Sequence, residues 1–398
     1  MIRTFTYKLY RNERIERRFE RWVSTCRYVY NVAKEVRETA FAAGVKVSHY
    51  ELCKQLTQAK KDIEFLRQVN AQTLQGALDQ LEAGYQSYFR KRKSGEVARM
   101  KDQYLARKDK HGGKVNPHVL RGMGKPNWAK KDRFASFVFK QGTDQTAKGF
   151  RLSKFGTVKV HNNRPVPGKI KTARMMKRAD GLYLSVVAEV PDRITTASKN
   201  QAVGIDMGIA HFLTTSEGQH VPNPRFLQRQ LPALRRAQRS LARKVKGSRR
   251  WREQKQVVAR LYQRVTEARK DFLHKTSTAL CAQYGTVVRE DLNVSGMVRG
   301  KLSRHISDVS WASFFAMLEY KAGEVVKVNA AYTSQGCSHC GAVDADSRLT
   351  QSVYCCTSCG HQENADVNAS KNILGRSFPV ARKARPLGQG LGEESHAL

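Results

Sequence analysis

Acid is what this chain lacks most. Its 398 residues hold 34 Asp and Glu against 72 Lys and Arg, a formal net charge of +38. So large an imbalance leaves most basic groups without internal partners. It calls for an external polyanion, and nucleic acid is the usual one. The sequence also has no apolar run near the ~18–20 residues of a membrane span. Met1 to Asn12 holds no long apolar segment of the secretory kind. The expected location is therefore the cytoplasm, in association with the nucleoid, with no membrane partner. Basic residues occur in nearly every segment and are not gathered on one amphipathic helix, which disfavours a membrane surface as the polyanion. Cysteine is sparse, at eight, but four of the eight stand in paired spacing. In a reducing compartment such pairs indicate metal and not disulfides. Hydrophobic residues still make up 40%, enough for the cores of two or three domains.

Four regions differ in texture. Residues 2–9 alternate like a strand. Residues 12–92 read as helices. Trp22, Cys26, Tyr28, Val29, Tyr30 and Val32 begin one apolar face, and Leu74, Leu81, Tyr85 and Phe89 carry another. Residues 94–133 are polar and basic with several Gly and Pro, the texture of a linker or of a loop that orders on nucleic acid. From 134 to about 192 the pattern is of strands separated by Asn-Asn, Pro-Gly and Asp-Gly turns, which suggests a small β-barrel completed by the first strand. Residues 200–372 read as an α/β domain, with strands at Ala202–Asp206, His211–Thr215, Gly285–Glu290 and Glu324–Asn329. Its two long helices fall at roughly 224–246, with a Leu227, Leu231, Leu234, Leu241, Val245 stripe, and at 249–284.

Cys337-Ser-His-Cys340 and Cys356-Thr-Ser-Cys359 stand fifteen residues apart. Two Cys-x-x-Cys knuckles at this separation match a closed, tetrahedral Cys₄ zinc site, which folds the loop and does no chemistry. A glycine follows each knuckle and permits the tight turn that aims both thiolates at one metal. Cys26, Cys53, Cys281 and Cys355 read as structural, and His339 and His361 as exposed polar residues.

Three acids stand at the ends of separate elements. Asp206 closes a hydrophobic strand in Val203-Gly-Ile-Asp-Met-Gly208, Glu290 closes another, and Asp366 opens a helix. Taken singly each has a bland alternative: Asp366 could be an N-cap, and Glu290 a buried ion-pair partner. Jointly they form a set of hard oxygen ligands able to hold two Mg²⁺ ions ~3.5–4 Å apart, as phosphodiester hydrolysis needs.

The order Gly204-Ile-Asp-Met-Gly208, Glu290-Asp-Leu-Asn293, Thr333-Ser-Gln-Gly-Cys-Ser-His-Cys-Gly341, Cys356-Thr-Ser-Cys-Gly360 and Asp366-Val-Asn-Ala369 resembles the TnpB family. These are insertion-sequence proteins related to type V CRISPR effectors. Tyr28-Val-Tyr-Asn31, Arg164-Pro-Val-Pro-Gly-Lys-Ile-Lys171, Asp271-Phe-Leu-His-Lys275 and Leu318-Glu-Tyr-Lys-Ala322 extend the likeness over nearly the whole chain. The resemblance implies a multidomain fold of α/β and α+β parts. An RNase H-like RuvC nuclease domain would occupy 196–330 and 361–375, with the zinc ribbon inserted at 331–360. A helical recognition bundle with a basic linker, 12–129, would be inserted in a wedge β-barrel formed by 1–11 and 130–195. A flexible tail, 376–398, would end the chain.

By the same resemblance the activity is RNA-guided cleavage of double-stranded DNA beside a short target-adjacent motif. Asp206, Glu290 and Asp366 are then the catalytic acids holding two Mg²⁺, and one Zn²⁺ is structural. The guide RNA is transcribed from the transposon end, and a separate transposase of the same element is a further partner. Two departures stand out. The stretch Tyr320–Lys327 is a few residues short, and Asn364-Ala365 stands where many members have Asp-Arg. A nuclease-impaired guided DNA-binding regulator and a conventional transposase remain the competing readings.

The phosphate backbone is expected along the two long helices, at Arg235, Arg236, Arg239, Arg243, Arg249 and Arg250. Acids are almost absent there, so bound phosphates would relieve the repulsion and release counterions. A solvated charged face is the alternative. Gln72, Thr73 and Gln75 could read base edges, Gln pairing with adenine, or could simply be a polar helix face.

Overall fold

The computed structural model describes residues 1–131, 133–191, 201–298, 300 and 303–377. The chain divides into two compact units, Met1–Asp192 and Arg193–Leu398. Of the tail expected at 376–398, residues 378–398 lie outside the described residues.

The first unit begins with β1 (Ile2–Lys8) and the helices α1 (Glu13–Ala42), α2 (His49–Asp62), α3 (Glu64–Arg67), α4 (Ala71–Lys93), α5 (Glu96–Lys110) and α6 (Pro117–Gly122). The strands β2 (Ser136–Phe139), β3 (Thr143–Thr146), β4 (Gly149–Leu152), β5 (Gly156–Lys159), β6 (Lys169–Arg178) and β7 (Gly181–Glu189) follow. They form a four-stranded sheet, β1-β7-β6-β2, and a three-stranded meander, β3-β4-β5. The first strand does join the later ones, pairing with β7 from Ile2↔Glu189 to Lys8↔Tyr183. One Leu9–Val160 bridge links the meander to the segment after β1.

Helices and strands share one core. Phe19, Trp22, Cys26, Val29 and Ala33 line the inner face of α1, and Leu74, Leu78 and Leu81 that of α4. They pack with Phe137, Phe139 and Phe155. Tyr28 and Val32, expected on the apolar face, are exposed. They fall between the buried rows set by the 3.6-residue period. Residues 94–133 are also corrected: α5 and α6 occupy much of the expected linker. Only Val97 of α5 is buried. Its apolar residues Val97, Met100, Tyr104 and Leu105 recur at helical spacing, a short stripe set among basic residues and flanked by Gly and Pro.

The second unit contains β8 (Ala202–Met207), β9 (His211–Thr215), β10 (His220–Pro222), α7 (Phe226–Ala242) and α8 (Arg249–Gln283). Next come β11 (Thr286–Glu290), α9 (Val294–Met297), α10 (Ser303–Val309), α11 (Trp311–Glu319) and β12 (Glu324–Val328). The last elements are β13 (Val353–Cys355), β14 (Gln362–Asn364) and α12 (Ala365–Gly375). Its main sheet has the order β10-β9-β8-β11-β12. β8, β11 and β12 run parallel and β9 antiparallel to β8. This is the strand arrangement expected of an RNase H-like domain. Val203, Ile205, Phe212, Leu213 and Val287 fill the sheet's core with Leu273 of α8 and Phe314 of α11.

The shortened stretch before Lys327 leaves the sheet intact. β12 pairs with β11 through five residues, from Thr286↔Glu324 to Glu290↔Val328. Val245, assigned to the α7 stripe, lies past the end of the helix and is exposed. Among the described residues no helix is long and apolar enough to cross a membrane.

Candidate active site and metal centre

Asp206 is the penultimate residue of β8 and Glu290 the last of β11. Both strands are apolar before the acid, Val203 and Ile205 in one and Val287 and Val288 in the other, all fully buried. The parallel pairing of β8 with β11 sets Ile205 against Arg289, so both carboxylates emerge at the same end of the sheet. Asp366 is the second residue of α12, which packs across β8 at Gly204. Asn364, not Asp366, caps this helix. Its side chain accepts from the backbone N–H of Asp366 and Val367, which frees the Asp366 carboxylate for another role. Ala365 is wholly buried beside Cys337, Tyr354 and Cys356. The Asn364-Ala365 departure thus supplies a cap and a small packing residue.

The three acids interact. Burial, then the negative charges of Glu290 and Asp366, push Asp206 up to about 7, while Arg348 and the Met207 N–H act the other way. Glu290 is also raised, by burial, against a hydrogen bond from Thr333 and the charge of Arg376. A carboxylate placed as Asp206 is resists ionisation unless a cation joins it. The donor set is all oxygen, which suits a hard divalent ion such as Mg²⁺ and not a thiophilic one.

Several neighbours of the acids were not singled out from the sequence. Arg348 Nη2 approaches Asp366 Oδ1 at 3.4 Å. His211 Nδ1 lies 3.9 Å from Asp366 Oδ2, with its ring 4.6 Å from that of His220. The Thr333 hydroxyl donates to Glu290 Oε1 at 2.5 Å. Thr333 lies inside a motif that had been read only for its cysteines. His211 and Arg348 carried no local signal at all.

The four cysteines converge. Cys337, Cys340, Cys356 and Cys359 have sulfurs all within 4.8 Å of one another. Cys337 and Cys359 are 3.8 Å apart, and Cys340 and Cys356 3.6 Å. A tetrahedron with Zn–S bonds of ~2.3 Å has edges of about 3.8 Å, so the spacing fits a thiolate-bound metal. The two knuckles are built alike. Gly341 and Gly360 take φ of 77° and 72°, a left-handed turn that costs a side-chain-bearing residue energy. Each glycine N–H donates back to the first cysteine's carbonyl. Backbone N–H groups of Cys359 and Ser358 aimed at Cys356 lower its thiol, while the crowding of the sulfurs raises that of Cys359, as expected of thiols packed together without a metal. His339 and His361 stack on each other, with centroids 5.5 Å apart.

The expected nucleic-acid residues divide. Arg235, Arg236, Arg239, Arg243, Arg249 and Arg250 are all exposed on or beside α7 and α8. Thr73 is corrected. It is 1% exposed, and its inward direction on α4 keeps its hydroxyl from any base edge. Gln72 and Gln75 are half-buried, and Gln72 donates to Gln141 at 3.0 Å.

An RNase H-like sheet with Asp206 and Glu290 at one end of two paired strands, and Asp366 on the helix that follows an inserted Cys₄ ribbon, is the architecture of a nuclease-type domain of the RuvC class. Family comparison narrows this. Residues 185–301 match the OrfB/IS605 family described as "Probable transposase". Residues 311–373 match the Cas12f1-like TNB domain. Residues 1–46 match a family described as a helix-turn-helix domain, although the structure there has a strand and one unbroken 30-residue helix. The "Putative RNA-guided DNA endonuclease InsQ" of Escherichia coli is 30% identical, over 98% of this chain and 97% of that one. A "Putative RNA-guided DNA endonuclease" of Streptomyces pristinaespiralis is 32% identical, over 94% and 88%. A solved mini-RNA-guided endonuclease, CRISPR-Cas_phi3, aligns over 94% of this chain and 92% of its own at 11% identity, with a TM-score of 0.43. The chain belongs to the TnpB family of insertion-sequence proteins.

Proposed function

We propose that this chain is a transposon-encoded, RNA-guided endonuclease that cuts double-stranded DNA with Asp206, Glu290 and Asp366. The observation that carries the reading is the placement of these carboxylates at the ends of the paired strands β8 and β11 and at the start of α12, where burial, then the charges of Glu290 and Asp366, raise Asp206 to about 7. The relatives named as RNA-guided endonucleases, matched over nearly their full lengths, support it. The regulator reading lacks support, because all three acids are present and the shortened segment leaves the pairing of β11 with β12 complete.

In this reading Asp206, Glu290 and Asp366 would together hold the Mg²⁺ ions. Bound Mg²⁺ would supply an activated water and charge stabilisation for the leaving 3′ oxygen. The chain's own residues fix the geometry. Thr333 orients Glu290, Asn364 releases Asp366 from capping, and Arg348 offers positive charge beside Asp366. The exposed arginines of α7 and α8 hold the guide–target heteroduplex through its phosphates, while base pairing selects the sequence. Gln72 and Gln75 are the candidates for reading the motif beside the target. Residues 12–129 serve as the recognition part and 1–11 with 130–195 as the wedge.

Sequencing of RNA that co-purifies with the protein tests the reading. A single defined species ending at the transposon boundary is expected. Active protein carrying no defined RNA would refute RNA guidance.

The Cys₄ cluster is assigned to one structural Zn²⁺. Cys337→Ser or Cys356→Ser should lower zinc from one equivalent to near zero and reduce soluble yield severalfold, because structural zinc contributes on the order of 10 kcal/mol to folding of its module. Elemental analysis of purified protein decides this, and folded wild-type protein without zinc would contradict it.

A further inference from the structure

The two halves of the acidic site are joined by a single strap of backbone that runs into the first zinc knuckle. After β12 the chain turns at Tyr332, a non-glycine residue with φ of 62°. Left-handed backbone at a bulky residue is strained and persists only where its surroundings enforce it. The consequence here is visible. Tyr332 is 64% exposed, while the next residue, Thr333, turns inward to 3%.

Thr333 then makes contacts on both sides. Its hydroxyl is 2.5 Å from Glu290 Oε1 and 3.0 Å from the carbonyl of Ala330. A hydroxyl has one proton, and the nearer, charged acceptor takes it. Its carbonyl accepts from Asn372 Nδ2 at 3.0 Å. Three residues on, the Gly336 carbonyl accepts from both Asn368 and Asn372 at 2.7 Å. The Ser338 N–H, inside the knuckle, donates to Asn368 Oδ1 at 2.8 Å. Asn368 is fully buried. It and Asn372 project from α12, the helix that presents Asp366. The strap therefore grips that helix through one buried and one half-buried amide, and grips Glu290 with a hydroxyl.

From this geometry we infer that Thr333 is a positioning residue of the nuclease site. It fixes the carboxylate of Glu290 relative to Asp366 and ties both to the folded zinc knuckle. The inference rests on the nuclease reading above and extends it to a residue outside the acidic triad. A carboxylate at a strand end has a rotatable head, and a short charge-assisted bond from a buried hydroxyl removes that freedom. Groups that orient metal ligands commonly change metal affinity by 10–100-fold when removed. Thr333→Val keeps the shape and loses the bond, whereas Thr333→Ser keeps the hydroxyl.

The test uses the full chain with its bound RNA and Mn²⁺ as probe, followed by the loss of the free-ion EPR signal. The Asp206→Ala complex supplies the background from the RNA. Thr333→Val should bind the protein-specific Mn²⁺ about tenfold more weakly, with zinc and RNA content unchanged. Half-maximal cleavage should need about tenfold more Mg²⁺, with the rate at saturating metal recovering to within a few-fold. Thr333→Ser should restore both. Wild-type Mn²⁺ affinity in Thr333→Val would overturn the inference, as would equal impairment in Thr333→Ser. If wild type binds no more Mn²⁺ than Asp206→Ala, the metal-site reading of the triad fails and takes this inference with it.

Discussion

Asp206→Ala is expected to abolish cleavage of both DNA strands, by about 10³-fold or more, some 4 kcal/mol of transition-state stabilisation. RNA content and target binding should change by no more than a few-fold. The division follows from where the two energies arise. Binding is spread over exposed arginines on α7 and α8 and over base pairs, to which one half-buried carboxylate adds little. Hydrolysis requires the cations that Asp206 would hold together with Glu290 and Asp366, both of which bear on it electrostatically. Glu290→Ala and Asp366→Ala should behave alike, and double variants should be no worse, because the three act as one unit. The variant should also fold at least as well as wild type in the absence of divalent ions, since a buried repulsion has been removed. The measurement is cleavage of a plasmid carrying a guide-matched target, beside a binding assay on the same DNA and a melting curve. Continued cutting of one strand would mean a second nuclease site.

A second large effect is expected at a residue with no side chain. Gly204 lies in β8, two residues before Asp206, where α12 crosses the strand. A Cβ at this position would stand 2.1 Å from the Ser370 carbonyl oxygen and 2.8 Å from the Leu374 nitrogen. Both are backbone atoms of the helix bearing Asp366, so no rotamer change relieves the overlap. Gly204→Ala must push α12 off the sheet by an ångström or more. The expected cost is about 3 kcal/mol or more of stability. Among molecules that remain folded, about 10²-fold of cleavage should also be lost, because a displacement of this size separates Asp366 from its partners. Gly375→Ala, at the far end of α12 with nothing within 4 Å of the added carbon, is the control and should be neutral or slightly stabilising. Denaturant melts with cleavage rates on the same samples decide the matter. A Gly204→Ala protein as stable and active as wild type would contradict the close packing.

The corrections at Tyr28, Val32 and Thr73 have a common origin. An apolar or polar residue within a helical run was assigned to a face by type, and the helix phase decides the face. Thr73 stands next to Leu74, and at one residue apart on α4 both fall within the buried arc. The linker expected over 94–133 has a different cause. The apolar stripe of α5, Val97, Met100, Tyr104 and Leu105, is short, and the basic residues around it and the Gly and Pro beyond it dominate the local texture.

What the sequence determined by itself was the local chemistry. The knuckle spacing followed by glycine specifies a metal cluster within a few residues of chain, and the structure closes it. Acids placed at the ends of apolar strands declare themselves, because nothing in a core asks for a charge there. The tertiary structure decided everything that depends on distant segments meeting. Thr333 against Glu290, Arg348 and His211 against Asp366, and the passage of Gly204 beneath Ser370 join residues far apart in the chain. No spacing rule encodes such contacts. They are fixed by strand register and helix packing, where hydrophobic burial brings the elements together and only afterwards sets their polar ends side by side.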